Sequence, residues 1–239
     1  PLIGMIGLTD SLMQDTKASA AVKKSLSIIR SCGWRLNLLV NDILDAASTK
    51  RNTLKVKLGS VNLWEAMSEV EALVAPLLQR GVVLRNQISM DLPPLLGDSG
   101  RITQILMNLL QNSVKFTAAG SISVSASPTP DGAFLEVSVR DTGIGVAADK
   151  LSSVFKAFQQ ADSEIAREFG GTGLGLSLVR SLVAAHKGKI RVSSNHGGPD
   201  SGTVFTITLP VFRKEGPGPG NLNAEGAEGK ASEAGQEEK

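Results

Sequence analysis

Val22, Leu26, Ile29, Gly33, Leu36, Val40, Ile43 and Ala47 fall at alternating spacings of four and three, an a/d seam sustained over nearly four heptads. Lys23, Lys24, Arg30, Arg35 and Asp42 flank this narrow stripe. A single helix cannot bury such a seam by itself. It needs a second helix, from the same chain in a hairpin or from another copy in a dimer, and the pattern alone leaves both open. Leu2, Ile3, Ile6, Leu8 and Leu12 suggest the end of a preceding helix, with Asp15, Thr16 and Ser19 supplying turn and cap chemistry in between.

From about Thr53 the period changes. Leu63–Gln79 reads as a helix, Val82–Ile88 as a short strand, and Asp98–Phe116 as an amphipathic helix with Ile102, Ile105, Leu106, Leu109, Leu110 and Val114 on one side. Then Ile122, Val124 and Ala126 alternate with serines, and Leu135, Val137 and Val139 alternate with Glu136, Ser138 and Arg140. Phe205, Ile207 and Leu209 alternate with threonines after a further helix over Leu174–His186. Strict alternation means a sheet with one buried face. The expected fold class is α+β, a helical hairpin followed by a two-layer α/β sandwich rather than a doubly wound sheet.

Composition narrows the function classes. With 41% hydrophobic and 20% charged residues in 239, the chain can bury a sizeable core. A net charge of +2 points to no nucleic acid or other polyanion. No run reaches the roughly 18 apolar residues of a membrane span, so no membrane contact is expected in this segment, and a soluble compartment or the cytoplasmic side is. One cysteine, Cys32, excludes an internal disulfide and reads as buried packing on the flank of the seam. His186 reads as a capping or packing residue at a helix end, and His196 as exposed in a glycine-rich loop. Residues 215–239 hold six Glu, two Lys and one large apolar residue, Leu222, so they read as a disordered acidic tail. A start at Pro1 suggests a piece of a longer polypeptide.

Three stretches carry candidate chemistry. In Asn108–Thr117 (NLLQNSVKFT), Asn108 and Asn112 lie four apart, so their amides share a helix face, where an amide oxygen can ligate a hard cation such as Mg²⁺. Asp141, Gly143 and Gly145 (DTGIG) place a carboxylate at a strand end before a permissive backbone. Gly170–Leu176 (GGTGLGL) opens a helix, where backbone N–H groups can face a phosphate. Each alone is also an ordinary cap, turn or loop.

In order and spacing, the set resembles the ATP-binding domain of two-component sensor histidine kinases, of the gyrase, Hsp90, histidine kinase and MutL (GHKL) superfamily, with its Bergerat-type sandwich. Asp98, Arg101 and Gln104 leading to Asn108 and Asn112 resemble the N box, and Asp141–Gly145 the G1 box. Phe155–Gln159 resembles the F box, Gly171–Leu176 the G2 box, and Gly202, Thr203 and Phe205 before Pro210 the terminal strand motif. Ser113 stands where the family usually has alanine. Pro1–Ile6 is similar to the tail of the H box, which implies a phosphoacceptor His five residues before Pro1, and a dimerisation and phosphotransfer hairpin of the HisKA type over 1–52. The ATP-binding domain would then be 53–214.

The resemblance implies roles for matching positions. Asn112 would ligate Mg²⁺ with help from Asn108. Lys115 would approach the phosphates and Phe116 the adenine, whose amino group Asp141 would accept, with Gly143, Ile144 and Gly145 beside the base. Lys156 and Phe158, with Arg167, would belong to a lid. Gly171, Thr172, Gly173, Leu174, Gly175 and Leu176 would approach the phosphates, and Thr203 would complete the site. The implied function is transfer of the ATP γ-phosphate to a His and on to an Asp of a response regulator receiver domain, within a homodimer. A GHKL pseudokinase and a clamp ATPase are the alternatives. Clamp ATPases carry a Glu as base where this chain has Asn108, which cannot take a proton.

Overall fold

The computed structural model describes residues 2–14, 19–49, 56–156, 173–198 and 200–213. Two helices come first, α1 (Leu2–Gln14) and α2 (Ala20–Thr49). Ser19 caps α2, its hydroxyl accepting from Val22 N at 3.3 Å. The two helices pack as a hairpin. Gly33 gives α1 its closest approach, since a Cβ there would lie 3.2 Å from Ile6 Cγ1, and Arg30 pairs with Asp10 at 3.3 Å.

The helix α2 also rests on the remainder of the chain. The buried Ser31 hydroxyl donates to the Leu73 carbonyl at 3.1 Å, and Trp34 packs against the core. These contacts correct the expectation for Cys32, which is exposed. At about 100° per residue, the packed arc of α2 runs from Gly33 through Trp34 to Ser31, and Cys32 points the opposite way.

The helix α3 (Leu63–Val74) is capped by Asn62, whose side chain accepts from Trp64 N at 3.0 Å and Glu65 N at 3.3 Å. It stops earlier than the expected Gln79. Pro76 has no N–H to donate and crowds the preceding turn, so the chain tightens into a 3-10 turn at Ala75–Leu77. Strands β1 (Gly59–Val61) and β3 (Leu95–Gly97) form a small antiparallel pair. Between them in sequence, but in the other sheet, comes β2 (Val82–Asn86), which ends where the Asn86 side chain accepts from Ile88 N at 3.1 Å, two residues short of the expected strand end.

The helix α4 (Ser99–Phe116) leads into β4 (Gly120–Pro128) and β5 (Phe134–Asp141); α5 (Gly175–Ala185), β6 (Lys189–Asn195) and β7 (Gly202–Pro210) complete the fold. The main sheet has the order β2-β4-β5-β7-β6, parallel between β2 and β4 and antiparallel elsewhere. The alternating residues of the sequence lie on its buried face: Ile122, Val124, Leu135, Val137, Val139, Phe205, Ile207 and Leu209. They meet Ile105, Leu106, Leu109 and Leu110 of α4, Leu182 of α5 and Met67 and Val70 of α3 in one core. The result is the α+β, two-layer arrangement that the periodicity implies.

His186, only 1% exposed, ties α5 to α4. Its Nε2 accepts from Asp98 N at 3.0 Å while Nδ1 donates to the Leu182 carbonyl at 2.8 Å, and both ring nitrogens are thereby used. Asp98 in turn caps α4 through Arg101 N and accepts from Lys57 N at 2.9 Å.

Candidate functional site

The site is built where α4, the end of β5 and the start of β7 meet. Strand register sets Thr203 opposite Asp141 and Ser194 opposite Thr203. Asp141 is 6% exposed. Its Oδ1 accepts from Gly143 N at 3.0 Å and Thr203 N at 3.1 Å, and its Oδ2 accepts from the Ser113 hydroxyl at 3.2 Å. Burial pushes the Asp141 carboxyl above the usual carboxylate range, against the opposing pull of the bonds from Gly143, Thr203 and Ser113. A buried acid held this way is costly to the fold and is the kind of group that functional sites keep.

The turn after Asp141 lies against two other backbones. Ile144 N donates to the Phe116 carbonyl at 3.2 Å, and a Cβ on Gly143 would run into that same carbonyl. Gly145 has φ +73°, and a Cβ there would collide with the Asn195 carbonyl. The Ser194 hydroxyl accepts from Val146 N at 2.8 Å and donates to the Gly202 carbonyl at 2.6 Å, and His196 Nδ1 lies 3.0 Å from the Ile144 carbonyl. Thr117 is fully buried beside Gly143, and its hydroxyl has no protein partner. The sequence reading missed Ser113, Thr117 and Ser194 as site residues. Ser113 carries a signal as a departure from the family's usual alanine, and Thr117 as the end of the Asn108–Thr117 stretch.

On α4, Asn112 is half-buried, whereas Asn108 is buried. Asn108 Nδ2 donates to the Gln104 carbonyl at 3.2 Å, and a Cβ on Gly175 would lie 2.7 Å from its Oδ1. Gly175 therefore serves close packing of α5 on α4 as well as any ligand. Lys115 and Phe116 are half-buried, with the Lys115 ammonium 4.7 Å above the Phe116 ring. Gly173 has φ +67° before α5, Leu174 is buried at its N-cap, and Leu176 packs against the core. Ile144 and Lys156 are exposed. Phe155 is partly buried and packs against the core, edge-on to Phe205 at 6.3 Å. Phe158, Arg167, Gly171 and Thr172 lie outside the described residues. Among the described residues no three of His, Cys, Asp or Glu converge as a metal cage, and no helix is long and apolar enough to cross a membrane.

Residues 97–213 match the family described as histidine kinase-, DNA gyrase B-, and HSP90-like ATPase. The chain is 33% identical over 222 residues to the autoinducer 2 sensor kinase/phosphatase LuxQ of Vibrio parahaemolyticus, covering 90% of this chain and 25% of that protein. It is 37% identical over 220 residues to hybrid signal transduction histidine kinase L of Dictyostelium discoideum, covering 90% of this chain and 13% of that one. The chain thus spans a quarter or less of the length of these relatives. Among solved structures, full-length ShkA in complex with AMPPNP superposes with a TM-score of 0.64 at 35% identity, covering 88% of this chain and 43% of that one. The Acinetobacter baumannii histidine kinase AdeS shares the fold, with a TM-score of 0.59 at 22% identity and coverage of 89% and 96%.

Proposed function

Because the chain belongs to the sensor histidine kinases, with a histidine kinase-, DNA gyrase B-, and HSP90-like ATPase domain at residues 97–213, we propose that it binds ATP and passes the γ-phosphate to a histidine, and from there to an aspartate of a response regulator receiver domain. The observation that carries this reading is the buried Asp141 carboxylate, held by Gly143, Thr203 and Ser113 beside a glycine turn that admits no Cβ. A buried anion with an open acceptor position suits an exocyclic amino group such as that of adenine. The AMPPNP bound by the similar ShkA is a nucleotide of the same class.

In the transfer, the bond from the γ-phosphorus to the ADP oxygen breaks and a bond to an imidazole nitrogen forms. The chain's part is to bind and orient the nucleotide and to balance its charge. His186 is not the acceptor, because both its ring nitrogens are hydrogen-bonded in the interior. Asn108, an amide bonded to the Gln104 carbonyl, cannot act as a base for water, which favours the kinase over a clamp ATPase.

Mg²⁺ would be held by the half-buried Asn112, with the buried Asn108 assisting. When bound, it supplies charge stabilisation. Asn112→Ala is expected to cut the Mg²⁺-dependent tightening of ATP binding by roughly 10- to 100-fold, by analogy with other metal-site losses. Calorimetric titration with and without Mg²⁺ tests this, and an unchanged gain from Mg²⁺ in the variant would sink the assignment.

We place the dimerisation and phosphotransfer hairpin at 1–52 and the ATP-binding domain at 53–214, on the cytoplasmic side or in a soluble compartment where ATP is available. Val22, Ile29 and Leu36 of the heptad seam are 48%, 46% and 49% exposed in the single chain, which a second copy would cover. Sedimentation should show a dimer that Ile29→Asp with Leu36→Asp converts to monomer. A wild-type chain that stays monomeric well above micromolar concentration contradicts the pairing.

A further inference from the structure

We propose that Ser113 is a positioning residue for base recognition, its hydroxyl setting the rotation of the Asp141 carboxylate and leaving one acceptor position of Oδ2 for an exocyclic amino group. This rests on the reading of Asp141 as the acceptor for the base. An ionised carboxylate offers about four acceptor positions, two on each oxygen. Gly143 N and Thr203 N take both on Oδ1, at 3.0 and 3.1 Å. Ser113 takes one on Oδ2, at 3.2 Å. One position remains, on Oδ2; the terminal torsion of an aspartate is broad, and Ser113 holds Oδ2 directly where the two backbone bonds act through Oδ1.

Ser113 is well placed for that task. It is 1% exposed. It follows Asn112 by one residue, so it turns about 100° around α4 from Asn112 and meets the end of β5. The bond is between a hydroxyl donor and a charged acceptor, stronger than a neutral pair. It also fixes the chemical sense of the site. An amino group donates to the ionised Oδ2, whereas a 6-carbonyl purine presents an oxygen to an oxygen and is rejected. A protonated carboxyl reverses this, since it donates. Every donor on Asp141 therefore protects the preference for the amino base, and among the described residues Ser113 is the one donor supplied by a side chain.

The test is calorimetric titration of the full chain with ATP and with GTP, from acid to neutral pH, for wild type, Ser113→Ala and Asp141→Asn, with thermal melting as the check on folding. Alanine is smaller than serine and introduces no clash. Ser113→Ala is expected to bind ATP about tenfold more weakly, to show a smaller ATP-over-GTP ratio, and to lose ATP affinity at a higher pH than wild type as the solution is acidified. If Ser113→Ala matches wild type in affinity and pH profile while Asp141→Asn loses its preference for ATP, the role of Ser113 is overturned and the base reading stands. Equal losses for ATP and GTP with an unmoved pH profile would mean a packing role only, and also overturn it. Should Asp141→Asn keep the preference for ATP, the base reading fails and the proposal with it.

Discussion

Gly145→Ala is expected to abolish nucleotide binding and to destabilise the chain by about 3 kcal/mol or more. Two costs combine. The backbone at Gly145 has φ +73°, a left-handed conformation that strains any residue with a Cβ. The new methyl would also meet the Asn195 carbonyl and lie 3.0 Å from His196 Cα. Those atoms are backbone, so no rotamer change relieves the overlap. Nor can the two segments simply part. Ser194 joins Val146 N to the Gly202 carbonyl, and His196 reaches back to the Ile144 carbonyl. Gly132 provides the comparison, with φ +62° and no atom within 4 Å of an added Cβ. Gly132→Ala should therefore cost only about 1 kcal/mol, from strain alone. Thermal melting with ATP calorimetry measures both, and a Gly145→Ala chain with wild-type Tm and ATP affinity would show that the turn has room to move.

Asp141→Asn is expected to weaken ATP binding about 100-fold and, at the same time, to stabilise the nucleotide-free chain at neutral pH. The amide is nearly isosteric. Its oxygen can still accept from Gly143 N and Thr203 N, and its nitrogen can donate to Ser113 Oγ. What is lost is the acceptor on the second oxygen. The stability gain follows from the sign of the shift. Burial raises the carboxyl above its ordinary 3.8, so between the unfolded and folded values the folded chain binds more protons than the unfolded one. Stability then falls as pH rises through that window and stays lower above it. A neutral side chain removes that cost above the window. The difference in melting between wild type and variant should widen as pH rises from about 3.8 towards neutrality, then level off. A variant less stable than wild type at neutral pH without nucleotide would show that the carboxylate's three bonds outweigh its burial.

The segments most legible in the sequence were those whose burial is periodic. Ile122–Ala126, Leu135–Val139 and Phe205–Leu209 alternate and lie on the inner face of the sheet, and α4 follows the apolar row from Ile102 to Leu110. Asp98 was included as the first residue of that helix, and it is the cap. The expected α3 was too long because its apolar rhythm continues past Val74, while Pro76 ends the hydrogen bonding. The place of Cys32 on the flank of the heptad seam suggests burial; which arc of α2 meets a partner depends on where α1 and α3 lie.

Periodicity and turn chemistry are local, so the order of elements and the buried faces of the sheet strands and of α4 are legible in the residues alone. What distant residues do to one another comes from the packing of the elements. It sets Asn108 inside, against Gly175, while Asn112 one turn on stays half-buried. It joins His186 to Asp98 N across 88 positions of sequence, Ser194 to Val146 N across 48 and Ser113 to Asp141 across 28. A hydrogen bond between groups so far apart in sequence depends on strand register and helix rotation to within about 0.3 Å of a 2.7–3.2 Å optimum, and no local pattern of residues encodes distances to that tolerance.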